Sequence, residues 1–121
     1  MNEIKKRLNA FQYAISGLLQ ALKNETHFRI QVIIGMVAII NGFYCSISKT
    51  EWLVCLLLIG LVSSLELINS AIEKLCDLYS TEQNIKIKYI KDISAAAVLI
   101  VSILAAICGI IIFAPYLLNN N

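Results

Sequence analysis

Glu66, Asn69, Glu73 and Asp77 interrupt an otherwise apolar run, 52–78, at offsets of three, seven and eleven from the first. At about 100° per residue these offsets confine four polar side chains to an arc of about 80° on a helix. An ionisable group in a membrane-length segment costs about 2.5–3.5 kcal/mol on insertion scales. Three carboxylates and an amide on one stripe therefore point to a site. Carboxylates so placed can accept a proton. They can also share Mg2+ with substrate phosphates, as that ion is usually held. For Glu66 alone, a proton relay or a helix-pairing contact is the rival reading.

Two further clusters fall at the same level of the chain. Asn24, Glu25 and Arg29 begin the first apolar segment, and Lys91 and Asp92 begin the last. Glu25 and Glu73 are the foremost hard oxygen ligands, and Lys91 and Arg29 are the cations that would neutralise phosphates. Position alone thus suggests phosphoryl transfer at a membrane surface. Plainer readings stand beside this one. Arg29 can snorkel to headgroups, His27 can be an interfacial residue without a catalytic task, and Asn41 can bond across helices. Glu51 reads as a helix cap, and Lys86 and Lys88 as solvated loop charges.

The elements that must position these groups follow from composition and periodicity. Of 121 residues, 59% are hydrophobic, 15% are charged and one is proline, a balance expected of a membrane protein. The net charge of +2 gives no reason to invoke nucleic acid. Cys45, Cys55, Cys76 and Cys108 form no CxxC pair and read as buried thiols, not as metal ligands or a disulfide framework. No signal-peptide pattern is expected at the N-terminus. One domain, 1–121, is expected. Residues 3–23 carry Ile4, Leu8, Phe11, Ile15, Leu18, Leu19 and Leu22 on one face with lysines on the other, a pattern suited to a surface helix in the headgroup plane. Three transmembrane helices are expected at about 28–47, 50–78 and 93–118. Ser48 and Glu51 fit a capping box that starts the second.

Lys5, Lys6, Arg7, Lys23 and Arg29 precede or begin the first span, and Lys74, Lys86, Lys88 and Lys91 surround the second connection. Only Lys49 lies in the opposite turn. The positive-inside rule then puts the N-terminus and the 79–92 connection in the cytoplasm and the C-terminus outside. The expected location is the inner (plasma) membrane. A small ion or proton translocator using the Glu66 stripe is the rival of another class. It predicts a polar line continuing outward, yet between Trp52 and Glu66 only Gly60, Ser63 and Ser64 break the apolar run.

None of the five glycines fits a Walker A motif, and the kinase glycine-rich and catalytic loops are absent, so a nucleotide site must be built differently. The stretch Glu66-Leu67-Ile68-Asn69-Ser70-Ala71-Ile72-Glu73-Lys74-Leu75-Cys76-Asp77 resembles the E-x-x-N-[ST]-A-I-E-x-x-x-D signature of the prokaryotic diacylglycerol kinase family, which includes undecaprenol kinases. The resemblance extends to Asn24-Glu25, Phe28-Arg29, Lys91-Asp92 with the following Ala95-Ala96-Ala97-Val98-Leu99, and Tyr13 and Gly17. It implies an all-α homotrimer of three-span protomers with an N-terminal surface helix and active sites at the cytoplasmic membrane face, between neighbouring subunits. Carried over, Glu66 is the general base towards the lipid hydroxyl, and Asn69 orients it. Glu25 and Glu73 are the Mg2+-ATP ligands, and Asp77, Lys91 and Asp92 serve the nucleotide. Tyr13 and the segment Glu82, Gln83, Asn84 are further nucleotide contacts, and Arg29 and Ala95 lie on the lipid side. Gln31, Ile15 and, at the lipid-facing start of the third span, Ser94-Ala95 depart from the enterobacterial pattern, which leans the acceptor towards undecaprenol over diacylglycerol.

Overall fold

The structure is a computed structural model that describes residues 2–80, 82 and 84–119. Four helices make up its ordered elements: α1 Glu3–Asn24, α2 Thr26–Cys45, α3 Lys49–Tyr79 and α4 Ile85–Leu118. The last three are long and apolar enough to cross a membrane.

Local chemistry explains each boundary. The Asn2 side chain accepts from the Ile4 N–H at 3.2 Å and starts α1. A single extended residue, Glu25, separates α1 from α2. Its N–H donates to Ala21 O at 2.8 Å and its carbonyl accepts from the Arg29 N–H at 3.1 Å, so the elbow leaves its own backbone paired. Ser46, at φ 53, ends α2 in the left-handed region. The Ile47 N–H then reaches back to Gly42 O at 3.2 Å, as in a Schellman cap. Ser48 and Glu51 form the reciprocal capping box expected at the start of α3.

Helix lengths differ in a way that matters. The 20 residues of α2 span about 30 Å, just a hydrocarbon core, whereas the 31 of α3 and 34 of α4 span about 46 and 51 Å. The α2–α3 connection is short, so the excess of α3 and α4 projects from the opposite end of the bundle. The fourth helix was expected from about 93 and starts at Ile85 instead. Asn84 caps it by accepting from the Lys86 N–H at 2.8 Å, and Ile87 is buried. Lysines near Ile85 lower the hydropathy of that turn without opposing helix formation. Lys86 and Lys88 therefore sit on a helix and not in a loop, and the 79–92 connection contracts to 80–84.

Packing is strongest between α3 and α4, then α2 and α3, while α1 meets chiefly α2. The tightest cluster lies at the Trp52 end, where Ile47, Cys55 and Ile112 are buried beneath Trp52, Phe113 and Tyr116. There Tyr116 donates its hydroxyl to Glu51, and the Trp52 and Phe43 rings meet at 4.9 Å. So Glu51, expected to serve only as a cap, also ties α3 to α4. The Trp52 indole lies over Gly42, and Ile59 over Gly35. Seven steps back along α2 thus match seven forward along α3. Ten further steps bring Glu25 opposite Asn69.

Gly42 is where this register is set. A Cβ there would sit 2.6 Å from Trp52 Cη2. Gly42→Ala is expected to destabilise the hairpin by about 1–3 kcal/mol, read by denaturant unfolding in detergent with Trp52 fluorescence.

Candidate active site

Few polar residues are buried, and three of them are neighbours on α3: Glu66 is 5% exposed, Asn69 8% and Ser70 8%. The α3 stripe faces the point where α2 begins. Glu66 lies within electrostatic reach of His27, Glu73 and Glu25, and beside the Asn69 amide. Asn69 Nδ2 donates to Glu73 Oε1 at 3.3 Å, whereas its buried Oδ1 has no hydrogen-bond donor among the described residues. A buried acceptor without a partner is uncommon and calls for a donor from elsewhere.

Beyond Glu73 the stripe leaves the bundle. Asp77 Oδ1 accepts from Lys91 Nζ at 2.7 Å, joining α3 to α4, and Asp92 Oδ2 pairs with Lys88 Nζ at 2.6 Å along α4. These four residues line a cleft of about 410 Å³ with Glu82, whose N–H donates to Ser80 Oγ at 3.1 Å, and Asn84. The cleft therefore collects Asp77, Glu82, Asn84, Lys91 and Asp92 from the expected nucleotide contacts. Gln83 lies outside the described residues. Ala95, one turn after Lys91, is exposed on α4.

Glu25 reaches the stripe from the elbow. Its carboxylate pairs with Lys74 Nζ at 3.3 Å. Arg29 is engaged differently from either reading of the sequence: its guanidinium donates to Leu22 O at 3.2 Å and Lys23 O at 2.8 Å, and to Thr26 Oγ1 at 3.4 Å. It closes the C-terminus of α1, where the last carbonyls lack helical partners. Tyr13 is not brought to the stripe. It is 74% exposed on α1, about 18 Å along that helix from Glu25.

Three neighbours of the site were not singled out from the sequence as functional. The Lys88–Asp92 pair has the i, i+4 spacing of a helical ion pair and was readable once α4 was extended. Lys74 and His27 approach Glu25 and Glu66 only through the folding of α2 against α3, which no local spacing announces. Among the described residues no group of three or more His, Cys, Asp or Glu is assembled to hold a metal ion. Glu25 and Glu73 each lie within electrostatic reach of Glu66, and two carboxylates are a donor set that would suit an ion completed by a ligand's own oxygens.

The chain as a whole is similar to known proteins. A sequence model of prokaryotic diacylglycerol kinase matches residues 12–113. An undecaprenol kinase of Bacillus subtilis is 34% identical over 116 residues, covering 96% of this chain and 94% of that protein. A diacylglycerol kinase of Haemophilus influenzae is 34% identical over 107 residues, covering 88% and 91%. One from Pseudomonas aeruginosa is 35% identical over 94 residues, covering 78% and 76%. The matched stretch runs from within α1 through α2 and α3 into α4, and the chain belongs to the prokaryotic diacylglycerol kinase family.

Proposed function

We propose that this membrane protein is a lipid kinase that moves the γ-phosphoryl group of ATP to the hydroxyl of a membrane lipid, giving a lipid phosphate and ADP. One observation carries the reading above the others. A buried carboxylate, Glu66, beside an amide acceptor with no donor among the described residues, lies about three turns along α3 from a lysine-lined cleft. In this arrangement the acceptor hydroxyl donates towards Glu66 and Asn69 Oδ1. Its oxygen attacks the γ-phosphorus, the bond to the β,γ-bridging oxygen breaks, and the proton passes to Glu66. Asn69, held by Glu73, orients both partners. Lys91 and Lys88 exchange their carboxylate partners for phosphate oxygens in the cleft. Magnesium held by Glu25 and Glu73 with those oxygens would supply further charge neutralisation. Positioning dominates the rate gain, because a bilayer already confines the lipid.

The rest of the reading concerns place and assembly. Arginine and lysine gather at the projecting ends of α3 and α4 and along α1, which supports a cytoplasmic site, a cytoplasmic N-terminus and an outer C-terminus in the inner (plasma) membrane. The exposed apolar stripe of α1, Ile4, Leu8, Phe11 and Leu19 among it, supports a helix lying in the interface. A homotrimer accords with the family. Of the two acceptors in the relatives' names, undecaprenol is favoured. An undecaprenol kinase aligns over 96% of the chain, and Gln31, Ile15 and Ser94-Ala95 depart from the enterobacterial diacylglycerol kinase pattern.

Three outcomes follow. Glu66→Gln is expected to lower transfer of labelled phosphate by about 10²–10⁴-fold with the oligomer unchanged on size exclusion, and turnover like the wild type would remove Glu66 from the role of base. Glu25→Ala and Glu73→Ala should each raise the Mg2+ concentration for half-maximal activity by about tenfold or more, as loss of even an outer-sphere partner does; a Mg2+ titration decides. In paired assays on purified lipids, kcat/KM is expected to be higher for undecaprenol than for dioleoylglycerol, and the reverse order would reassign the acceptor.

A further inference from the structure

Lys74 has no part in the reaction proposed above, yet it touches the site. Among the described residues, the projecting end carries the pairs Lys91–Asp77, Lys88–Asp92 and Lys74–Glu25, and only the last engages a carboxylate proposed for magnesium. Lys74 Nζ lies 3.3 Å from Glu25 Oε1 and so bridges α3 to the elbow before α2. The partners differ in their access to water: the Lys74 side chain is 68% exposed and that of Glu25 21%. Position 74 falls on the first x of the stretch E-x-x-x-D, so the family signature does not prescribe a lysine there.

Charge explains what a lysine does at this place. Glu25 and Glu73 both lie within electrostatic reach of Glu66. Carboxylates so gathered repel one another, and a partly buried one needs a cation beside it. Glu73 and Lys74 are consecutive on α3, so their side chains leave the helix about 100° apart. Glu73 bonds along the stripe to Asn69, while Lys74 takes Glu25 from the flank. An ammonium and a divalent ion within a few ångströms of one carboxylate repel each other, so the two do not share Glu25. Lysine is suited to yielding, because its charge is a compact point on a flexible stem that already stands largely in water. Resting on the kinase reading and its magnesium ligands, we infer that Lys74 is a positioning residue: it holds Glu25 as a stand-in cation and is displaced when the metal binds. The pair keeps Glu25 at the site between turnovers, and whatever it contributes is subtracted from the affinity of the metal.

Mn2+, which takes the same hard oxygen ligands as Mg2+, reads this exchange without turnover. Water-proton relaxation of the full chain in detergent gives the dissociation constants of Mn2+ and of its complex with the non-transferable ATP analogue adenylyl methylenediphosphonate. Lys74→Met is expected to lower both by about two- to fivefold, the weight of a solvent-exposed ion pair. Lys74→Arg, whose fork grips both carboxylate oxygens, should raise them. Loss of a positive charge also favours a nearby cation through space, and a double-mutant cycle separates that effect from the exchange. In a Glu25→Gln background, Lys74→Met should leave Mn2+ binding unchanged. An equal gain with and without Glu25, or no gain in Lys74→Met while the wild type binds Mn2+, would overturn the inference and leave the kinase reading in place. A wild type that binds Mn2+ in neither form overturns it together with the proposed ligands. The expected order of affinities in a wild type that transfers phosphate to neither undecaprenol nor dioleoylglycerol would support the exchange and remove the kinase reading.

Discussion

A carboxylate buried inside a membrane-length helix is the constraint from which the arrangement follows. Glu66 has little water, so its neighbours must make its presence tolerable. The structure meets this with Asn69 and Ser70 on the next turn and His27 across the interface. Those contacts depend on register. The Trp52 indole over Gly42 and Ile59 over Gly35 set how α2 lies along α3. That setting, made about 26 Å away, decides that the α1–α2 elbow arrives opposite Asn69. Packing at one end of the hairpin therefore determines which charges gather at the other.

The ionic contacts at the projecting end are of another kind. Lys91–Asp77, Lys88–Asp92 and Lys74–Glu25 each leave at least one partner well exposed. Solvated pairs of this sort contribute little to stability. In the proposed function they hold cations close together at low cost to rearrangement, so that phosphate oxygens would take the place of a carboxylate. Arg29 differs, since it closes the last turn of α1 and is committed to the backbone. It holds the elbow and so positions Glu25.

The sequence made the spans, the capping box and the α3 stripe legible, because each is a local pattern: length, S-x-x-E, and a helical repeat of polar residues. The bounds of α3 were expected at 50–78 and lie at Lys49–Tyr79. What was misread was the start of α4, where Lys86, Lys88 and Lys91 lower the hydropathy although Asn84 and Ile87 favour a helix. That one error placed a wall of the cleft in a loop. The partners of Arg29, the Glu25–Lys74 pair and the approach of His27 to Glu66 were not legible, since each joins elements whose register is decided by Gly42 and Gly35. Tyr13 shows the converse case. Resemblance assigned it to the nucleotide, and in the protomer it stands apart from the stripe.

The absence of a glycine-rich phosphate loop from the sequence has a physical reason in this architecture. Phosphate loops bind through backbone N–H groups that turns leave free. In helices that cross a bilayer, those groups are consumed by i→i−4 bonds, because hydrocarbon offers no alternative partner. Recognition must pass to side chains on the parts of helices that emerge. That is where Lys88, Lys91, Asp77 and Asp92 stand, on segments of α3 and α4 longer than a span requires. The first turn of α4 borders the same cleft, with the Lys86 N–H donating to Asn84 Oδ1 and the Lys88 N–H to Asn84 O at 2.9 Å. In the proposed reaction, the excess length of these two helices would let one continuous element reach both a hydroxyl held in hydrocarbon and a phosphate held in water.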